Sequence, residues 1–328
     1  MKFSSIFQAN FPFSPLRFPF FYGWCIVIFT TLGMIASIPG QTMGVGVYTD
    51  FLIQNSHLTR MQISMAYMTG TILSSLLLPL AGRYYDLVGG RIMIVFAGIG
   101  MGISLLLFAE SLTIIHLVHS LLPNISILTS ELLVITLIFL LLRQFGQGIM
   151  AMVSRNTLAK WFERRRGMVS GISGIFVAFS FSGAPLFMNI IIEDYGYSGS
   201  MILMAIIFGF GMAFIGWLFF RDKPEDCGLL MDGDEITSLV TTNLFPEPET
   251  TLKEALRTYN FWIFCLGLCS AAVIVTGLTF HISSIGALAG LSRMEAYGLF
   301  LPMSVISVIS HFIAGWASDR MPLKYLLM

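Results

Sequence analysis

Eight apolar stretches of about twenty residues recur along this chain, at 22–46, 61–81, 92–110, 132–153, 167–191, 199–220, 259–284 and 296–316. As helices rising about 1.5 Å per residue, such stretches are long enough to cross a hydrocarbon core of about 30 Å. The composition agrees. The chain is 56% hydrophobic and 11% charged, with mean hydropathy +0.82, where soluble domains carry about 25% charged residues. The expected fold class is an all-α polytopic membrane protein. Residues 111–130 are uncharged and too broken for a span of their own; they extend the third and fourth spans outward or lie at the interface.

Charge sets the expected orientation. With the N-terminus in the cytosol, fifteen of the 18 Lys and Arg residues fall on the cytosolic side. Arg60 and Arg293 lie outside, and Arg143 alone lies within a span. This positive-inside bias predicts a multi-pass plasma membrane protein, in bacteria the inner membrane, with a cytosolic N-terminus. The net charge of zero leaves no nucleic-acid footprint. Cys25, Cys227, Cys265 and Cys269 form neither a disulfide framework nor a metal-binding pair. No metal or cofactor is expected. The first 20 residues lack a cleavage site and read as a cytosolic lead-in with an aromatic cluster.

The polar stretch from Arg221 to Arg257 contains Pro224, Pro246 and Pro248. It divides the chain into a six-span unit at 1–220, a cytosolic linker at 221–258 and the start of a second unit at 259–328. The units share a repeat. Leu58-Thr59-Arg60-Met61-Gln62 opens the second span and Leu291-Ser292-Arg293-Met294-Glu295 opens the eighth, 233 residues later. At the other ends, Gly82 and Asp86 match Gly315 and Asp319 at the same offset of 233. Thr59 with Gln62, and Ser292 with Glu295, have the spacing of a capping box, which satisfies helix N–H groups where water is scarce. Gly82 and Gly315 are expected to let neighbouring helices approach closely.

The residues around these landmarks resemble a known family. Gly82-Arg-Tyr-Tyr-Asp86-Leu-Val-Gly89-Gly-Arg91 is similar to the loop 2–3 signature of the major facilitator superfamily, departing from it at Leu87 and Gly90. The second copy keeps Gly315, Asp319 and Arg320 but has Pro322 where Gly is usual. Arg143-Gln-Phe-Gly146-Gln147-Gly148 resembles the family's Arg-x-x-x-Gln-Gly pattern. Trp161-Phe-Glu-Arg164-Arg165-Arg166-Gly167 resembles the helix 4–5 junction of the monocarboxylate and oxalate/formate branches. The resemblance implies the major-facilitator fold, two six-helix halves around a central cavity, and alternating access. Only about eight helices are present, so the chain is expected to be cut after its eighth.

The expected function is therefore secondary transport of a small organic solute, an organic anion or carboxylate among the candidates, by a monomer in the lipid bilayer with a proton as candidate coupling ion. A membrane enzyme would need acids, nucleophiles or metal ligands converging at membrane depth, and no Asp or Glu falls near the middle of a span. A truncated, non-transporting product or a sensor of the same fold is the alternative. Arg143 has two readings: it faces the cavity and binds an anion, or it donates to carbonyls of the first helix. The resemblance implies conformational gates at Gly82, Asp86, Gly89 and Arg91, with Gly315, Asp319 and Arg320 as second-half partners. Gln147 shares the Arg143 motif. Gln41, beside the Pro39-Gly40 break in the first span, and His281, at a comparable place in the seventh, are candidates for coordinating substrate or closing the outer gate. Asn189 is a further substrate candidate, or bonds a neighbouring helix. The eighth span lacks the Arg or Lys on which the carboxylate branches usually rely.

Overall fold

A computed structural model describes residues 7–233 and 252–318; Asp319 and Arg320 lie outside them. Every described element is helical. The first span, α1, runs over Gly23–Asn55, nine residues beyond its sequence-based limit. Its middle is interrupted by a 3-10 turn at Ile38–Gly40, because Pro39 lacks the N–H that the α-helical ladder needs. Then come α2 (Arg60–Val88), α3 (Gly90–Ala109) and α4 (Ile127–Trp161). Residues 111–130 extend α3 and α4 as expected: a short helix over Ser111–Leu121 follows α3, and α4 begins at Ile127. Arg143–Met150, in the middle of α4, is π-helical, a distortion that often accompanies function.

The next helical run, Arg166–Phe219, holds 54 residues and as one straight helix would reach about 81 Å. Gly196, at φ 70° and ψ −179°, divides it into α5 (166–195) and α6 (197–219). The chain turns back there: Tyr197 and Ser198 donate to the carbonyls of Phe108 and Ala109 at one end of α3, while Arg91 at the other end of α3 donates to the carbonyl of Trp217. With α7 (Tyr259–Leu288) and α8 (Arg293–Gly298, continued by Phe300–Ser318), the described residues form eight long helices, and six helical runs, Arg166–Phe219 counted once, are long and apolar enough to cross a membrane. Both expected capping boxes are present, at Thr59 with Gln62 and at Ser292 with Glu295.

In lipid, helices associate through close packing and hydrogen bonds rather than through water exclusion. The packed interior follows α1, α3, α4 and α6, where Ile94, Met101, Ile135, Phe139, Leu142, Met150 and Met201 are wholly enclosed. α7 lies against α1 and α8 against α5. A second cluster, with Tyr22, Trp161, Phe162 and Val169 enclosed, seals the end that holds the N-terminal segment. Phe13 and Phe18 pack on it, so the predicted aromatic lead-in has a defined place.

Candidate functional site

The break in α1 and the π-helical stretch of α4 meet backbone to backbone. A Cβ on Gly40 would collide with the Leu142 carbonyl and come within 2.9 Å of the Gly146 Cα. Only glycine at both positions allows that approach. The contact places Arg143, halfway along α4, beside the Gly40 carbonyl, which the break leaves outside the helix ladder. Its Nη1 donates to the Gly40 carbonyl at 3.4 Å, and its guanidinium lies 5.3 Å from the centroid of the Tyr67 ring. Arg143 is 8% exposed. The donation to α1 is the second of its two sequence-based readings, and a single long bond leaves the other donors of the fork available for the first.

Tyr67 is the hub that the sequence did not single out. Its hydroxyl lies 2.9 Å from the Thr42 hydroxyl, just past the α1 break. Its ring stacks on Phe280 of α7 at 4.9 Å and meets Phe139 edge-on. Buried Gln144 accepts from Ser74 of α2 at 2.9 Å. The centre thus carries one cation, two aromatic faces and several hydroxyl and amide groups. Gln147, one turn on from Arg143, is exposed, and its side chain is free to turn toward a solute.

The other candidates are placed less centrally. Gln41 donates to the Ser37 hydroxyl at 3.0 Å, holding the broken turn together. Asn189 is buried but donates along its own helix to Glu193 at 2.7 Å, not to a neighbouring helix. His281 is half-buried and meets Phe280 edge-on.

At the end of the bundle where α2 and α8 begin, Asp50 joins three helices. Its carboxylate pairs with Arg60 of α2, and its second oxygen lies 3.2 Å from Nη2 of Arg293 of α8. Nearby, Glu131 is buried in the N-terminal part of α4 and accepts the backbone N–H of His57 at 3.1 and 3.2 Å, with His57 Nδ1 at 2.8 Å. These acids escaped notice because sequence places both outside the spans, whereas tertiary packing encloses them.

At the opposite end the gate candidates have other arrangements than the motif leads one to expect. Gly82 to Val88 remain helical, so the connection to α3 reduces to Gly89, at φ 85°. A Cβ there would also collide with Asp222. Nothing lies within 4 Å of a Cβ on Gly82, so the close approach expected there is not made among the described residues; Pro79 and Asp86, one turn away on the same face, are exposed. Asp86 is exposed on the last turn of α2. Arg91, by contrast, is 2% exposed and donates to the carbonyls of Trp217, Gln8 and Phe11. Its backbone N–H donates to Asp222 at 2.7 Å, which makes Asp222 a cap for α3. Burial pushes the Asp222 carboxyl above its ordinary value, partly offset by that N–H. Arg221 donates to the carbonyls of Phe11 and Phe13. Gly315 is in the last turns of α8.

The sequence profile of the Major Facilitator Superfamily matches residues 24–328, nearly the whole chain. The chain belongs to the Major Facilitator Superfamily. Comparison with curated proteins gives no match. Membership and the all-helical structure together make this a multi-pass membrane protein of a transporter family.

Proposed function

We propose that this superfamily member is a secondary active transporter that moves a small organic anion by alternating access, with Arg143 as the group that receives the anionic end of the solute. One observation carries the reading: an arginine halfway along α4, buried and facing the α1 break, makes one 3.4 Å bond among the described residues. A cation is costly at that depth, which is why an intramembrane Arg argues for function. Tyr67, Thr42 and Gln147 provide the neighbouring ring and polar groups. The motifs at 82–91, 143–148 and 161–167 support placement near the monocarboxylate and oxalate/formate branches, and a proton is the proposed coupling ion. The chain works as a monomer in the plasma membrane, N-terminus in the cytosol, which makes the Asp50 end the outer one.

On this reading the first six helices form one half, and α7 and α8 belong to the second. Asp50 with Arg60 and Arg293 closes the outer end. Asp86, Gly89 and Arg91, with Gly315, Asp319 and Arg320, work the inner one, and Gln41, Asn189 and His281 line or steady the route. The decisive experiment is uptake of radiolabelled mono- and dicarboxylates by proteoliposomes carrying wild type, Arg143→Lys or Arg143→Ala. Losing charged hydrogen bonds worth about 1.5–3 kcal/mol lowers uptake by about tenfold or more in Arg143→Ala. Unchanged uptake by a folded Arg143→Ala protein would defeat the assignment.

A further inference from the structure

The Asp50 end of the bundle holds more positive charge and more unused hydrogen-bonding capacity than a plain ion pair requires. Two guanidinium groups, from Arg60 and Arg293, face one carboxylate. Two neighbouring acids are already engaged. Glu295 accepts from the backbone and hydroxyl of Ser292, and Glu131 is paired with His57. Two buried polar atoms beside the pair have no hydrogen-bond partner among the described residues: Nη1 of Arg60 and Oγ of Ser284. Tyr297 is 2% exposed and lies close to Asp50, Arg293 and Arg60, with its hydroxyl facing Ser283. Buried polar groups are nearly always satisfied, so two unsatisfied ones in one place point to a missing ligand.

There is room for one. Asp50, Arg60, Ser283, Ser284, Ala287 and Leu288 line an open cleft of about 490 Å³. The unpaired groups are a guanidinium N–H and a hydroxyl, and the cluster of Asp50, Arg60 and Arg293 is cationic by one unit. That combination suits an anion with oxygen acceptors, which a planar guanidinium fork binds well. The apolar wall from Ala287 and Leu288 suits a short hydrocarbon tail.

We propose that this cleft is a second anion site, remote from Arg143, that takes a small monocarboxylate on Arg60 and Ser284, beside the Asp50–Arg293 pair. The bound carboxylate shares the positive charge of the two arginines with Asp50 and so competes with the contact that ties α8 to α1. The site stands on its own geometry and does not depend on the Arg143 assignment.

The test is equilibrium dialysis of radiolabelled acetate against the purified full chain. Saturable binding in about the millimolar range is expected. Arg293→Gln, at the second arginine paired with Asp50, weakens it about tenfold, Ser284→Ala weakens it less, and Asp50→Asn tightens it by removing the competing carboxylate. Arg143→Gln leaves this component in place. Thermal unfolding of each variant confirms that it is folded. Absence of saturable acetate binding overturns the inference, as does binding lost in Arg143→Gln but indifferent to Arg293→Gln and Ser284→Ala. That last outcome would leave the central anion site standing. Loss in Arg293→Gln alone would do the reverse.

Discussion

Arg60 and Arg293, 233 residues apart in the sequence, begin two helices with the same capping box and converge on the same carboxylate, that of Asp50. The two copies of one motif are thus brought against each other by a third helix that has no counterpart in the motif. Partly exposed ion pairs contribute about 0.2–1 kcal/mol each. Asp50→Asn should therefore loosen this end without unfolding the protein. Alkylation of a cysteine placed at Ala287, in the cleft, is expected to quicken by about 1.5- to fivefold. An unchanged rate would mean that the pair does not hold this end closed.

Glycine has opposite roles at two places in the bundle. Gly40→Ala forces a methyl into the Leu142 carbonyl, and overpacking of this kind costs about 1–3 kcal/mol. Gly82→Ala meets open space in the middle of a helix, where Ala is favoured over Gly by about 0.5–1 kcal/mol. Thermal unfolding in detergent should fall for the first and hold or rise for the second.

Tyr67→Phe separates the hydroxyl from the ring. The stack on Phe280 and the face presented to Arg143 survive, while the bond to Thr42 is lost, at about 0.5–1.5 kcal/mol. Tyr67→Leu also removes the cation–π contact, about 0.5–2 kcal/mol more. Comparing the two in uptake and in thermal unfolding distinguishes a residue that positions Arg143 from one that merely braces α2. In the positioning case, uptake falls in Tyr67→Leu by more than its unfolding shift explains.

Asp232 governs the junction of α4 and α5. It sits at φ 60°, an uncommon conformation that Asp tolerates better than most residues. Its carboxylate collects the backbone N–H groups of Glu163, Arg164 and Arg165 at 2.8–3.1 Å. Burial raises its pKa, but the N–H donors of Arg164, Glu163 and Arg165 outweigh it and hold the group below its ordinary 3.8. A carboxylate held low stabilises the fold in full above that ordinary value, and the contribution is lost as pH falls through the lowered one. Asp232→Asn should therefore be less stable than wild type at neutral pH, with the gap closing as pH drops below about 3.8. Thermal unfolding across that range is the measurement; a gap independent of pH would show that the carboxylate's charge contributes nothing.

What could be read in advance was whatever is encoded locally. The eight spans follow from hydrophobic length, the two helix starts from cap spacing, and the α1 break from Pro39. Arg143 was conspicuous because a lone charge within an apolar run has no local excuse. The partners were not legible. Arg91 lies five residues from Asp86, and its motif invites pairing them, yet its fork is taken up by carbonyls at Gln8, Phe11 and Trp217. Tyr67 looked like one more aromatic in a membrane helix until packing set Thr42, Phe280 and Arg143 around it. Asp50 lay past the expected end of α1, and only the longer helix brings it beneath both arginines.

The carbonyls of Phe11 and Phe13 are held by Arg221, about two hundred residues further on, and those of Gln8 and Phe11 by Arg91. During synthesis this segment leaves the ribosome before Arg91 and long before Arg221, so its second set of bonds forms only after six helices have been made. Its docking then ties the N-terminal segment to the end of α6. A tag or fusion set directly against Gln8 would thus interfere with the completion of assembly rather than its start.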